Sequence, residues 1–172
     1  GSEMCISDWI TLAAFPELER RAFGFPMTAF LEALIEQGPV LEAAGTPVGV
    51  VTGIQGSRRF RVSVTGDEGH AGTLPMPERK DALLAALEMI GTMRQAFDVD
   101  QIKFTVGLFR ISPNVPSVVP SKAFFSIDIR HPDWKTLRDL GDSVAGLCEQ
   151  NAGPCAVEVS EIATSESLEF PI

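Results

Sequence analysis

The 172-residue sequence predicts an α+β fold, a ferredoxin-like two-layer sandwich in which two helices cover one face of an antiparallel sheet. Three observations support this prediction. Several segments alternate apolar and polar residues with the period of a half-buried strand. Two longer segments repeat apolar residues every three or four positions, as amphipathic helices do. The two kinds of segment follow each other in the order strand, helix, strand, strand, helix, strand.

The first predicted strand is followed by the glycine-rich loop Gly66–Gly72, and Pro132 is well placed as the first residue of the second helix. Three prolines mark a loop between the second and third strands. The six predicted elements, in chain order, cover residues 59–64, 78–97, 102–111, 122–130, 132–153 and 155–159.

The segments before these elements predict a division into an N-terminal extension with a connector, residues 1–46, and a domain comprising residues 47–172. Within the extension, residues 8–21 predict a short surface helix that Pro16 interrupts. Residues 27–38 leave two interpretations open, because a short apolar run fits either a helix capped by Thr28 or a buried strand.

Composition excludes several classes of function. Fourteen Lys and Arg against 23 Asp and Glu give a net charge of −9, which disfavours nucleic acid and anionic membranes as partners. No apolar run approaches the roughly 20 residues that span a bilayer. Cys5, Cys148 and Cys155 match no metal or redox motif, so they are predicted to be small core residues of a cytoplasmic protein.

His70 is the first candidate for chemistry, because three glycines around it let a ligand approach the backbone closely. A tight turn with a solvated imidazole explains the same residues equally well. Arg130, at the end of the third predicted strand, is the second candidate, since its guanidinium group could bind a carboxylate. The alternative there is a surface ion pair with Asp128.

The other charged residues have simpler interpretations. His131 precedes Pro132 and is predicted to lie at the entry of a helix rather than to bind a ligand. Arg58, Arg59 and Arg61 form a basic strip that is predicted to be a solvated face of the sheet. The sequence contains no pattern typical of a nucleophilic triad.

Four motifs between Glu36 and Arg130 together resemble one enzyme family, and the match as a whole runs from about Phe30 to Phe170. The family comprises the N-carbamoyl-L-amino-acid amidohydrolases, allantoate amidohydrolases and β-ureidopropionases of the dinuclear-metal aminoacylase-like superfamily. The motifs that carry the resemblance, in chain order, are Glu36-Gln37-Gly38-Pro39-Val40-Leu41-Glu42, Gly49-Val50-Val51-Thr52-Gly53-Ile54, Gly69-His70-Ala71-Gly72-Thr73 with Pro75-Met76, and Asp128-Ile129-Arg130.

The resemblance implies that the chain is the lid and dimerisation domain of a two-domain enzyme. In that family a catalytic domain holds two zinc or manganese ions, and an inserted lid with the fold predicted above joins two subunits into a homodimer. The metal-binding half of the family is expected to be absent from this chain. The substrates implied are N-carbamoyl amino acids and related ureido compounds, which carry a small carboxylate.

The resemblance also implies roles for individual residues. His70 matches the histidine that stabilises the polarised substrate carbonyl, Arg130 matches the arginine that binds the substrate carboxylate, and Gln37 matches a glutamine of the substrate site. Two positions depart from the family pattern. A metal-ligand histidine is replaced by Leu34, which has no lone pair, and a substrate-contacting asparagine is replaced by Ser117, whose side chain is shorter.

These departures lead to the expectation that this chain alone binds no metal and has no hydrolytic activity. Two alternatives remain open: a fragment of an active amidohydrolase whose catalytic domain lies elsewhere, and a free-standing small-molecule sensor domain. The strand at 102–111 is expected to pair with its twin in a homodimer, because an edge strand leaves backbone groups unpaired. A monomer with that edge covered by residues 1–26 is the alternative.

Overall fold

The computed structural model describes Pro26 and residues 31–170, which divide into two compact units at Gly49–Val50. In the described part of the first unit a four-residue helix, α1 (Val40–Ala43), is the one regular element. Residues 31–37 form neither a helix nor a strand, so neither interpretation of the segment 27–38 applies to them. The helix predicted at 8–21 and Cys5 lie outside the described residues.

The second unit contains a four-stranded sheet, two helices and two pairs of two-residue strands. A 3-10 turn at Met76–Glu78 precedes the first of these helices. The elements, in chain order, are β1 (Gly53–Ile54), β2 (Gly56–Thr65), β3 (Gly69–His70), α2 (Ala82–Ala96), β4 (Lys103–Ser112), β5 (Val118–Val119), β6 (Lys122–His131), α3 (Trp134–Gln150), β7 (Ala156–Ser165) and β8 (Leu168–Glu169).

The main sheet has the strand order β4-β6-β2-β7, and every neighbouring pair is antiparallel. With α2 between β2 and β4 and α3 between β6 and β7, this is the predicted βαββαβ arrangement, and the α+β fold is confirmed. The strands β4 and β7 lie at the two edges of the sheet. The short pairs β1–β8 and β3–β5 lie outside it.

Both helices begin at an aspartate that caps them. Asp81 accepts hydrogen bonds from the backbone N–H groups of Leu83 and Leu84, both at 3.0 Å, and Asp133 accepts one from Thr136 at 2.7 Å. Hydrogen bonding from Thr136 to the Asp133 carboxylate lowers the pKa of Asp133. The sequence predicted that α2 starts at Glu78, which was too early. The helix starts at Ala82 because Asp81 caps it.

The core lies between the helices and one face of the sheet. Its largest fully buried side chains come from the two central strands and from the helices. They include Phe125, Ile127, Ile129, Met89, Met93 and Leu137. Cys148 and Cys155 are buried there as predicted, and burial raises the pKa of the Cys148 thiol to about 11. No helix of the described residues is long and apolar enough to cross a membrane.

Arg58 corrects the prediction of a solvated basic strip. Its side chain points to the helix-covered face and the residue is 8% exposed, whereas Arg59 and Arg61 are exposed. Its Nε and Nη2 atoms donate to the two carboxylate oxygens of Glu161, both at 2.8 Å. Its Nη1 atom donates to Asp142 and to a backbone carbonyl of α3, both at 2.7 Å. The buried cation therefore connects β2 to β7 and to α3.

His131 lies at the junction of β6 and α3, as the sequence predicted. The side chain is buried, and Nδ1 accepts a hydrogen bond from the backbone N–H of Asp133 at 2.9 Å. In the neutral ring, Nε2 then donates to the carbonyl of Asp100, also at 2.9 Å. Both ring nitrogens are used within the fold, which leaves this histidine in a structural role.

Candidate functional site

His70 and Ser117 lie together on a small antiparallel pair beside the main sheet. The strand β3 ends at His70, which pairs with Val118 of β5. The backbone N–H of Ala71 donates to the carbonyl oxygen of Ser117 at 2.9 Å. Both His70 and Ser117 are exposed, so the two predicted site residues are neighbours on the surface.

The imidazole of His70 is oriented by its own loop. Its Nδ1 atom accepts a hydrogen bond from the backbone N–H of Gly72 at 3.1 Å. In the neutral ring the proton is then on Nε2. The outward-facing nitrogen is therefore a hydrogen-bond donor, as a group that stabilises a polarised carbonyl oxygen must be.

Arg79 holds this loop in place and was not identified from the sequence. Its Nη2 atom donates to the carbonyl of Ala71 at 2.7 Å, and its Nε atom donates to the carbonyl of Leu74 at 3.0 Å. These bonds fix the backbone immediately after His70. The sequence placed Arg79 on a predicted helix, where an arginine has no special meaning, so no local signal marked it.

Arg130 forms the ion pair that one of the two interpretations predicted. Its Nε and Nη2 atoms donate to the two oxygens of Asp128 at 2.9 and 3.0 Å, and Arg59 Nε donates to the same carboxylate at 2.8 Å. The hydrogen bond from Arg130, followed by that from Arg59, lowers the pKa of Asp128. Arg130 nevertheless remains exposed, and no described residue accepts a hydrogen bond from its Nη1 atom. The ion pair with Asp128 is therefore compatible with binding of a ligand carboxylate by Arg130.

The open face of the sheet carries a concavity around Arg130. Its volume is about 390 Å³, and it lies on the side of the sheet that the helices do not cover. The polar and charged residues that line it are Arg59, Lys103, Thr105, Ser126, Asp128 and Arg130.

The structure does not bring His70 and Arg130 of one chain together. The strand β6 begins at Lys122, whose partner on β2 is Thr65, and the loop that carries His70 leaves β2 at that end. Arg130 lies at the other end of β6, opposite Ser57. Eight residue steps of strand separate Lys122 from Arg130, a distance of roughly 26 Å. This distance is longer than an N-carbamoyl amino acid.

Leu34 and Gln37 belong to the first unit. The Leu34 side chain is 70% exposed, and Gln37 is exposed with a positive φ of 53°. Between them Glu36 accepts hydrogen bonds from the backbone N–H groups of Val40 and Leu41 at 2.9 and 3.0 Å, which starts α1. Among the described residues, no group of three His, Cys, Asp or Glu side chains could hold a metal ion.

Comparison with known proteins supports the resemblance. Allantoate amidohydrolase of Bacillus subtilis is 38% identical over 135 residues, which cover 75% of this chain and 33% of the relative. N-carbamoyl-L-amino-acid amidohydrolase of Paenarthrobacter aurescens is 38% identical over 133 residues, covering 76% and 32%. The crystal structure of a hydantoinase/carbamoylase family amidase from Burkholderia vietnamiensis superposes with a TM-score of 0.76 at 34% identity, covering 79% and 34%.

The chain spans about a third of the length of these relatives. Residues 52–154 match the family described as peptidase dimerisation domain, and this region contains the sheet strands β2, β4 and β6 and both long helices. The chain therefore belongs to the peptidase dimerisation domain family, and its homologues are allantoate and N-carbamoyl-L-amino-acid amidohydrolases.

Proposed function

We propose that this chain is the dimerisation and substrate-carboxylate-binding lid domain of a metal-dependent amidohydrolase that acts on N-carbamoyl amino acids or related ureido compounds. One observation carries the proposal: Arg130 lies at one end of the main sheet, the loop that carries His70 leaves the sheet at the other end, and the edge strand β4 runs between those ends. Neither end of the sheet contains both residues within one chain.

A two-fold pairing of β4 with its twin would complete such a site. Lys103, at the start of β4, lies opposite Arg130, and Ser112, at its end, lies opposite Lys122 near the His70 loop. When two identical strands pair antiparallel, the start of each lies beside the end of the other. The Arg130 end of one protomer would then lie beside the His70 end of its partner, in a closed dimer.

Apolar groups on the β4 side of the domain favour this pairing. Leu108 and Phe109 of β4 are more than one-third exposed, and Leu84 and Leu87, one turn apart on α2, are about half exposed. Exposed apolar groups and an unpaired strand edge are both features that association removes from water.

In the proposed dimer, Arg130 binds the ligand carboxylate and His70 donates its Nε2 proton in a hydrogen bond to the polarised carbonyl oxygen. Ser117, beside His70, offers a hydroxyl where the family pattern has an amide. Gln37, in the first unit, is proposed to contact substrate, as its match to the family motif implies.

The described residues of this chain do not fit the dinuclear metal centre that the family implies. Leu34 occupies the position of a metal ligand and offers no lone pair. No three His, Cys, Asp or Glu side chains among residues 31–170 are placed so that they could hold a metal ion. We therefore propose that the metal-binding residues belong to a catalytic domain outside this chain and that the chain alone does not catalyse hydrolysis.

Sedimentation equilibrium at micromolar concentration tests the dimer. We expect the mass of two chains for the wild type and a weakened dimer for Leu108→Glu, because the substitution places two carboxylates near each other at the two-fold axis. Ile162→Glu makes the same change on the other edge strand, β7, and serves as the control. A mass of one chain for the wild type across the concentration range would exclude the proposed assembly.

Ligand titration tests the carboxylate site. We expect N-carbamoyl-L-alanine to shift NMR signals around Arg130 with a dissociation constant of about 1 mM, because an exposed guanidinium holds a carboxylate weakly. Arg130→Met should abolish the shifts. Identical shifts in both proteins would remove the carboxylate role. Release of ammonia from the same compound, in the presence of zinc or manganese, would show that the chain is catalytic and contradict the proposal.

A further inference from the structure

Arg130, Arg59 and Lys103 are three cations that line one concavity on the open face of the sheet, together with the carboxylate of Asp128. Arg59 lies directly opposite Asp128 on β2, and Lys103 lies directly opposite Arg130 on β4. All four side chains line the concavity of about 390 Å³.

The charges in this cluster do not balance. Asp128 receives hydrogen bonds from both arginines, and its Oδ2 atom is shared between Arg59 Nε at 2.8 Å and Arg130 Nη2 at 3.0 Å. Among the described residues, no acidic side chain forms an ion pair with Lys103. The cluster therefore carries two positive charges in excess, in a protein whose net charge is −9.

The shared carboxylate also positions the arginines. Because Arg59 and Arg130 bind the same oxygen of Asp128, their guanidinium groups lie next to each other. Among the described residues, Arg59 donates only through its Nε atom, so the outer nitrogens of its guanidinium group are available to a ligand. Two neighbouring guanidinium groups and an ammonium group that line one concavity are suited to a ligand with two separate anionic groups.

We propose that Arg59 and Lys103 form a second anion subsite beside Arg130, so that this face selects N-carbamoyl amino acids with an acidic side chain. The inference rests on the proposed function, which assigns the α-carboxylate of the ligand to Arg130. The side-chain carboxylate is then bound by Arg59 and Lys103.

The test compares N-carbamoyl-L-aspartate with N-carbamoyl-L-asparagine, which have the same shape and differ by one charge. Titrations of the whole chain, followed by NMR shifts, give a dissociation constant for each compound. We expect the aspartate compound to bind about tenfold more tightly, since the extra carboxylate gains charge-assisted hydrogen bonds. Arg59→Met and Lys103→Met should each reduce this ratio severalfold and leave the affinity for the asparagine compound nearly unchanged.

Arg61→Met is the matched control, because Arg61 lies on the same strand and is exposed but does not line the concavity. This variant should keep the ratio of the wild type. An equal loss of the ratio in Arg61→Met and Arg59→Met would overturn the subsite and show general charge attraction. Equal affinities for the two compounds, with both lost in Arg130→Met, would overturn the subsite alone. Absence of any Arg130-dependent binding would instead overturn the proposed function, and the subsite with it.

Discussion

Two arginines of the same sheet, Arg58 and Arg130, both bind a carboxylate on the sheet, but on opposite faces. Arg58 lies under α3, and four of its N–H groups are bound by Glu161, Asp142 and the carbonyl of Arg138. Arg130 lies on the open face and, within the part of the chain that the structure describes, donates through two N–H groups, both to Asp128. The guanidinium group therefore stabilises the fold at Arg58, whereas at Arg130 it keeps N–H donors that a ligand can use.

Burial is the reason for the difference. A guanidinium group removed from water must have its donors satisfied within the protein, whereas an exposed one can exchange water for a ligand. The helix makes room for the buried group at Gly141, where a Cβ atom would overlap the guanidinium of Arg58. The ring of Phe60 adds a stacking contact, with its centroid 5.3 Å from the guanidinium carbon.

Removal of each guanidinium group gives the sharpest test of this comparison. Arg58→Met should lower the free energy of unfolding by about 2–3 kcal/mol, because charge-assisted hydrogen bonds between sheet and helix are lost. Glu161 and Asp142 are partly exposed and can be rehydrated, which limits the loss. Arg130→Met should change stability by less than about 0.5 kcal/mol, as exposed ion pairs contribute little. Urea denaturation measures both, and equal losses would contradict the distinction.

The glycines of α3 test the space around Arg58. Gly141→Ala should lower stability by about 1–2 kcal/mol, because the new methyl group displaces the guanidinium from its partners. Gly146→Ala, in the same helix, meets nothing within 4 Å and should raise stability by about 0.5–1 kcal/mol. If both substitutions stabilise the protein, Arg58 can move aside freely and its network is not fixed.

The smallest expected effect is the pH dependence of the Arg58 network. The hydrogen bonds from Arg58 lower the pKa of Glu161 in the folded protein. A lowered pKa contributes stability that is present above the ordinary carboxyl pKa of about 4 and is lost as pH falls through the lowered value. The stability difference between wild type and Arg58→Met should therefore narrow below about pH 4. A difference that stays constant or widens on acidification would show that Glu161 does not contribute through its charge.

The periodicity of the sequence predicted the α+β fold because strand and helix patterns are local, and the family motifs directed attention to His70 and Arg130. The alternation of the first strand also predicts that Arg58 is buried. This was missed because the predicted strand began at residue 59. Two positions before Phe60, Arg58 must share the buried face with Phe60 and Val62. The apolar residues of the segment 27–38 fitted either a helix or a strand, and residues 31–37 form neither.

The sequence by itself determined which segments form strands and helices, because side-chain periodicity acts within a few residues of chain. Tertiary structure alone decided which charges meet. Arg58 donates a hydrogen bond to Glu161, 103 residues later in the chain, and Arg59 donates one to Asp128, 69 residues later. Tertiary structure also decided that Arg130 lies at one end of the main sheet and that the loop carrying His70 leaves the sheet at the other end. Contacts of this kind depend on the order in which the strands lie in the sheet, which the periodicity of a single segment does not give.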